Sequence, residues 1–517
     1  MFEGKFFKFI IFTSIIPLFL SANLVSGPFQ SLKAGRETVR KPAVSGLFYP
    51  SDPDVLLQQV NNFMDSADPG YELNDVVALI SPHAGYSYSG QVAGYSYRQI
   101  RGREYDCVVI ISPSHIEYFS FNSVLCEGFY ETPLGKIPIH EDLAKEIAAE
   151  GKRIKESTRG HIQERFQRGE HALEVQLPFL QTAIENLKIV PIVMGDQSWE
   201  SAYSLGKRLG KILKGRNVLI VASSDLSHYH PYNKAIKIDK RLIDLVGEYN
   251  YSMISVKLRT REIEACGGGP IIAAMIAAES LGAGGVKVLK YANSGDVPHG
   301  DKNRVVGYMS AAIYRTRTGK GVERSSNPLK PVKLTKEEKI QLLDIARSAI
   351  ESSVKGIEYP EVKISNPNLL SLRGAFVTIK MNGMLRGCIG MTLPVYPLVE
   401  TVKRAARSAA LEDPRFQPLK PSELKDIEIE ISVLSMPVPV TDLDEIAVGQ
   451  HGLIISCYGR QGLLLPQVAV ENGWDRDVFL QQTCLKAGLP PDTWMKGEAD
   501  ISIFSAVVFS EGELKKD

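Results

Sequence analysis

Four short apolar runs limit what this chain can fold into: Val76-Val-Ala-Leu-Ile80, Cys107-Val-Val-Ile-Ile111, Ile189-Val-Pro-Ile-Val193 and Val218-Leu-Ile-Val221. None alternates with polar residues. A strand with one wet face alternates, whereas a strand buried on both faces reads as an unbroken apolar run. Burying both faces needs helices on each side, and amphipathic stretches at Glu141 to Ile154 and Ser201 to Leu213 supply helical patterns between the runs. The pattern predicts an α/β fold with a largely parallel sheet flanked by helices. The carboxyl third reads differently. Ile427, Ile429, Ile431 and Val433 alternate with polar residues, as in a half-buried strand. Helical patterns at Lys336 to Ser352 and Pro397 to Ala410 accompany it, so a second domain of α+β type is expected there.

At about 100–200 residues per domain, a chain of 517 residues holds two to four. The polar, Gly- and Pro-containing stretch after Arg315 reads as a linker. The expected boundaries are 39–316, a linker at 317–332, and 333–512. Residues 1–27 carry Lys5 and Lys8, then an uncharged apolar run from Phe9 to Leu20, then small residues. Basic, apolar, small is the order of a secretory signal, so export or membrane anchoring is expected, and a cytoplasmic location if the start is misplaced. With 60 Lys+Arg against 59 Asp+Glu the chain lacks the basic excess that phosphate backbones require, and nucleic acid is not expected as a partner. Six cysteines without a Cys-x-x-Cys pair exclude a disulfide scaffold and a Cys-rich zinc site.

Three of the apolar runs end in polar residues of one kind. The first runs into Ser81-Pro-His83-Ala-Gly-Tyr86, the second into Ser112-Pro-Ser-His115, and the fourth into Ser223-Ser-Asp225-Leu-Ser-His228. Ligand crevices of open α/β sheets lie outside the carboxyl ends of the strands, so His83, His115, Asp225 and His228 should converge although far apart in sequence. Neutral imidazoles in one crevice suit a borderline transition metal. Asp225 and His228 suit an acid–base pair or the orientation of a ligand. Glu170-His171-Ala-Leu-Glu174 is read as opening a helix with His171 and Glu174 on one face. Cys266, ahead of Gly267-Gly-Gly269-Pro270, is either a thiolate ligand or a small buried apolar residue. The glycines either let backbone approach a bound group or form a helix-entry turn. His230 reads as loop surface, and His140, His161, His299 and His451 as surface residues.

Taken in order, Lys41-Pro-Ala-Val-Ser-Gly-Leu-Phe-Tyr-Pro50, Pro82-His83-Ala-Gly-Tyr86, Pro113-Ser-His115, Glu170-His171-Ala-Leu-Glu174, Ser224-Asp225-Leu-Ser-His228 and Cys266-Gly-Gly-Gly269 resemble the Memo family over roughly 39–316. That resemblance implies a fold similar to class III extradiol dioxygenases, which hold non-haem iron at the sheet edge. By motif, His83, His115 and Cys266 look like metal ligands, with Asp225, His228 and His171 as catalytic or pocket residues. Dioxygenases of that class use two histidines and a carboxylate. Here a thiol replaces the carboxylate, although Glu262 and Glu264 lie close in sequence, and a softer donor favours copper(I) or alters iron's redox behaviour. Gly374-Ala-Phe-Val-Thr-Ile379, Leu385-Arg386-Gly387-Cys388-Ile389-Gly390, Gly462-Leu-Leu-Leu-Pro-Gln467 and Trp474-Asp resemble an AMMECR-family domain. Arg386 and Cys388 could present a cation and a thiol in a tight turn to an anionic ligand, or Gly387 and Gly390 merely shape that turn while Cys388 is core. The combination resembles the AmmeMemoRadiSam system, which implies a radical-SAM protein as partner, since this chain has no Cys-x3-Cys-x2-Cys motif.

The expected function is therefore metal binding with a redox or oxygen-handling role; if the chain turns over a substrate, it is a non-haem oxidoreductase using an iron or copper ion. Two other readings stand beside it: a non-catalytic module binding a peptide or an anionic small molecule, and a metal-handling protein.

Overall fold

The structure, a computed structural model, describes residues 38–68, 70, 72–149, 151–162, 170–316, 327–360 and 364–514. The signal-like segment and the linker up to residue 326 lie outside them. The four apolar runs form the middle of one nine-stranded sheet, side by side in the order Val76–Ser81, Val218–Ser223, Cys107–Pro113, Ile189–Met194. All three of these pairings are parallel, and every residue of the four strands is buried. Antiparallel strands extend both edges. Val305–Tyr314 pairs with Val76–Ser81, and Asn122–Val124 with Ile189–Met194.

Helices cover the sheet. The helix Gly268–Ser280 is apolar all round as far as Ala278 and packs on Val218–Ser223 and Cys107–Pro113, as a helix with no polar face must when it lies inside a domain. The helix Trp199–Ile212 lies against it. Glu141 to Ile154 departs from the expected single helix. The helix stops at Ala148, and Ile154–Glu156 becomes an edge strand beside Asn122–Val124 because that strand's outer side is open to pairing.

In the carboxyl third, Met384–Met391, Gly374–Met381, Ile427–Leu434 and Ala506–Ser510 form an antiparallel sheet in that order, packed under the helices Lys336–Lys355 and Leu398–Leu411. The first of these helices starts with a reciprocal Thr335–Glu338 capping box and ends at Gly356. A second antiparallel sheet contains Val438–Pro439, Asp500–Phe504, Gly452–Cys457 and Arg460–Leu464. This sheet meets the amino-terminal half. Trp199 Nε1 donates to the Pro437 carbonyl at 2.9 Å, Arg153 pairs with Asp500 at 2.9 Å, and one apolar core runs through both.

Beneath the large sheet's carboxyl edge lies a buried polar cluster. The Arg40 guanidinium pairs with Glu174 and donates to the carbonyls of Glu170 and His161. Glu174 also accepts the Ala43 and Val44 N–H groups, at 2.7 and 3.1 Å, and the Tyr49 hydroxyl. A fully buried carboxylate is tolerable only with such a set of donors. Residues 40–49 are thereby tied to the segment that carries His171.

Two sequence expectations change here. His171 and Glu174 do not share a helix face: His171 precedes a turn at Ala172 and Leu173, the 3-10 segment Glu174–Gln176 follows, and the helix begins at Leu177. Glu174 turns inward to Arg40, which the reading of one face could not anticipate because its partner is 134 residues away. His161 is not a surface residue. It is buried, accepts the Tyr130 hydroxyl at Nδ1 (2.7 Å) and donates from Nε2 to the Ser123 carbonyl (3.0 Å).

Burial lowers the His161 pKa from 6.5 to about 4. The folded state thus favours neutral His161, and its stabilisation, complete above the ordinary imidazole value, is lost as pH falls from 6.5 towards 4. At 1.36 kcal/mol per unit, the loss amounts to about 3 kcal/mol. Denaturant unfolding at pH 7 and pH 4.5 should show a smaller pH-dependent loss of stability for His161→Gln than for the wild type. Equal losses would remove this assignment.

Candidate functional site

Parallel pairing in register puts Ser81 beside Ser223, so the segments that follow these strands leave the sheet together. His83 follows the first and Asp225 the second, and Asp225 Oδ1 accepts the His83 N–H at 2.8 Å. Cys266 reaches the same place from the other direction. Its N–H donates to the Asp225 carbonyl, and its Sγ accepts the Asp225 N–H at 3.3 Å. Gly267 makes this possible: a Cβ there would lie 2.2 Å from the Ser223 carbonyl oxygen. What the glycine admits is the strand's own backbone rather than a bound group.

The sulfur lies 3.1 Å from His83 Nε2. The rings of His83 and His115 stand edge to face with centroids 5.1 Å apart. One donor atom from each of His83, His115 and Cys266 falls within 4.8 Å of the others, so the three side chains meet.

Hydrogen-bond accounting fixes how the imidazoles face. The Ser223 hydroxyl spends its one proton on the Ala172 carbonyl (2.6 Å) and accepts from Gln176 Nε2 (2.8 Å). It can only accept from His83 Nδ1, 2.9 Å away, so Nδ1 carries the hydrogen and Nε2 presents a bare lone pair towards the sulfur. At His115, Nδ1 lies 3.0 Å from the Glu170 carboxylate, an acceptor, which leaves Nε2 bare there too. Glu170 also accepts the N–H groups of His115, His171 and Ala172.

Electrostatics agree with this arrangement at His83, whereas at His115 the carboxylate that orients the ring also favours protonation, which a bound cation would have to displace. Burial, with the nearby imidazoles, holds His83 well below 6.5 and therefore neutral. Burial also works on His115, but the Glu170 carboxylate outweighs it and raises the pKa. Burial opposes ionisation of Glu170, yet hydrogen bonds and charge from His115 and His171 bring it down to about 2. Burial and the Asp225 charge push the Cys266 thiol well above 9, so without a cation the sulfur keeps its proton. Asp225, raised mainly by burial, titrates at about 7.

The remaining predicted residues divide. His171 stacks on His115 at 4.7 Å and meets Phe48 in a tilted contact at 4.9 Å, and burial lowers its pKa to about 4. His228 donates Nδ1–H to the Leu226 carbonyl (2.9 Å) and lines a cavity with Cys266. His230 is a correction to the surface reading: it lies in the short strand His228–His230 and bonds Glu264 at 2.9 Å. Glu264 is thereby occupied, and Glu262 pairs with Lys257, so neither joins the donor cluster.

Glu170, Ser223 and Gln176 received no role from the sequence, although a carboxylate next to His171 was a usable signal.

Arg386 and Cys388 lie elsewhere, in the carboxyl third. They sit within the extended strand Met384–Met391, and the turn comes earlier, at Asn382 and Gly383. Gly387 is needed for packing instead, because a Cβ would lie 2.2 Å from the Ala409 carbonyl of the helix above. The Arg386 guanidinium is spent on Glu423, at 2.9 and 3.1 Å, while Cys388 N–H donates to Asp413 at 2.8 Å.

Residues 40–312 match the family model of Memo-like proteins, and residues 343–509 that of AMMECR1. A MEMO1 family protein of Nitrosopumilus maritimus is 38% identical over 275 residues, 52% of this chain and 98% of that protein. Another, from Thermotoga neapolitana, is 37% identical over 286 residues, 53% of this chain and 99% of its own. Among solved structures, an uncharacterised protein of Pyrococcus horikoshii is 42% identical, covering 33% of this chain and 89% of that one, with a TM-score of 0.32. With more than half of its length matched by the first model, this chain belongs to the Memo family and carries an AMMECR1 region in its carboxyl third.

Proposed function

We propose that the chain binds an iron or copper ion through His83, His115 and Cys266 and acts as a redox or oxygen-handling protein. One observation carries this reading: two bare Nε2 atoms and one sulfur, on three distant segments, converge within 4.8 Å. Each imidazole is locked by a bond to its other nitrogen, the usual support behind metal-bound histidines. Two nitrogens and a sulfur suit borderline to soft transition ions and suit calcium or magnesium poorly. An ion of that kind supplies Lewis acidity and one-electron chemistry when bound.

The protein's own groups have separable tasks. Ser223 and Glu170 hold the Nδ1 hydrogens and so aim the Nε2 lone pairs. The Asp225 N–H points at the sulfur and favours its thiolate form. With its carboxyl titrating at about 7, Asp225 can take up or release a proton near neutrality. His228, held neutral by burial, keeps Nε2 free as a proton acceptor at the cavity wall.

Anaerobic purification followed by elemental analysis should find about one iron or copper per chain, and His83→Ala, His115→Ala and Cys266→Ser should each lose it with the far-UV circular dichroism unchanged. Wild-type protein that stays metal-free after reconstitution would overturn the reading. Glu170→Gln should weaken metal retention about 10- to 100-fold while leaving all three donors in place. Gly267→Ala, which drives a methyl into the Ser223 carbonyl, should displace Cys266 and abolish the thiolate charge-transfer absorption of the cobalt(II)-substituted protein. An unchanged band would show that the sulfur's position does not depend on that contact.

A further inference from the structure

A cavity of about 420 Å³ opens beside Cys266. It is lined by His228, Leu258, Arg261, Glu264 and Ala265, with Leu226 and Ile263 behind them. Leu226 and Ile263 are fully buried core residues that back the cavity from behind, so its wall is rigid, while the half-buried Leu258 and Ala265 give that wall its apolar surface. A site of this size with an apolar wall and a few polar groups is of the kind that takes a small organic molecule.

The polar groups decide what kind. Glu262 accepts from Lys257 Nζ at 3.1 Å and Thr260 Oγ1 at 3.0 Å. The Glu264 carboxylate, itself on the cavity wall, accepts from His230 Nε2 at 2.9 and 3.0 Å. Both acidic neighbours of Arg261 are thus engaged. Among the described residues the Arg261 guanidinium has no ion pair and no side-chain hydrogen bond.

Its backbone adds an independent observation. Arg261 follows the helix Tyr251–Arg259 and its cap residue Thr260, with φ at 59°. This left-handed position after a helix is normally given to glycine, because a side chain there costs roughly 1–2 kcal/mol. An exposed arginine occupies it here, on the wall of the cavity that Cys266 also lines.

We infer that this cavity is the substrate pocket and that it selects small organic anions: Arg261 binds a carboxylate or phosphate head, Leu258 and Ala265 receive the apolar body, and the ligand is thereby placed against Cys266 and His228. The assignment of the pocket as a substrate site rests on the metal-centre reading above; the selection for an anion rests on Arg261 alone. A guanidinium meets either head group with paired N–H donors, so it distinguishes charge first and geometry second.

Calorimetric titration of the full chain with phenylacetate, phenyl phosphate and the neutral phenylacetamide tests this, once in chelator and once after metal loading. Either or both anions should bind about tenfold or more tightly than the amide, as one charge-assisted pair allows. Which anion is preferred identifies the head group. Arg261→Gln should erase the preference and Arg261→Lys restore part of it, with metal content unchanged in both variants. Anions that bind no better than the amide, fail to bind at all, or keep their advantage in Arg261→Gln would overturn the inference. Wild-type protein that retains no metal yet prefers the anions in chelator would sink the metal reading and leave the selection by Arg261 standing.

Discussion

A hydroxyl group has one proton to give, and the arrangement at the sheet edge depends on where Ser223 gives it. Because that proton goes to the Ala172 carbonyl and Gln176 takes one lone pair, only an acceptor remains for His83. The imidazole is then held in a single tautomer, with its reactive nitrogen turned to the sulfur. Burial makes the choice costly to reverse, since a flipped ring would leave two polar groups unsatisfied at essentially zero solvent exposure. Glu170 enforces the same orientation on His115 by a different route, with a carboxylate that has no hydrogen to offer.

These two restraints reach far into the fold. Gln176 is itself held by the Tyr97 hydroxyl at 2.7 Å, on the helix Tyr86–Arg98. Glu170 lies in a segment whose carbonyl is taken by Arg40, and Arg40 in turn is neutralised by Glu174. The segment 40–49 closes this assembly from the amino-terminal side, with Phe48 against His171 and the Phe48 carbonyl accepting the Tyr86 N–H at 2.7 Å. Site geometry and domain packing are thus one network, in which few members can change without leaving a buried donor or acceptor unpaired.

Much of this was legible before any coordinates, and for a physical reason. Unbroken apolar runs report burial on both faces, and right behind three of them came the residues that the strand ends bring together. Convergence at a sheet edge follows from parallel topology alone, so His83, His115 and Asp225 could be placed without knowing a contact. Cys266 was harder to place. It follows no strand, and its position depends on Gly267 admitting a carbonyl from 44 residues earlier in the chain. The roles of Glu170, Glu174 and His161 were hidden for a related reason. Each is defined by a partner across the fold, and a buried polar residue carries no periodic mark that separates it from a solvated one. Likewise Arg386 reads as an available cation until Glu423 is seen beside it.

The indole of Trp199 gives the two halves a common fate. Its ring sits in the amino-terminal half, yet its N–H is satisfied by a carbonyl at Pro437, and the same helix packs through Gly206 and Gly210 onto the helix that Cys266 leads into. Severing the chain between the halves would therefore uncover a greasy wall and orphan a donor on the very scaffold that backs the sulfur. A dissected amino-terminal fragment should be treated as a different, stickier molecule, and properties measured on it should not be credited to the intact chain.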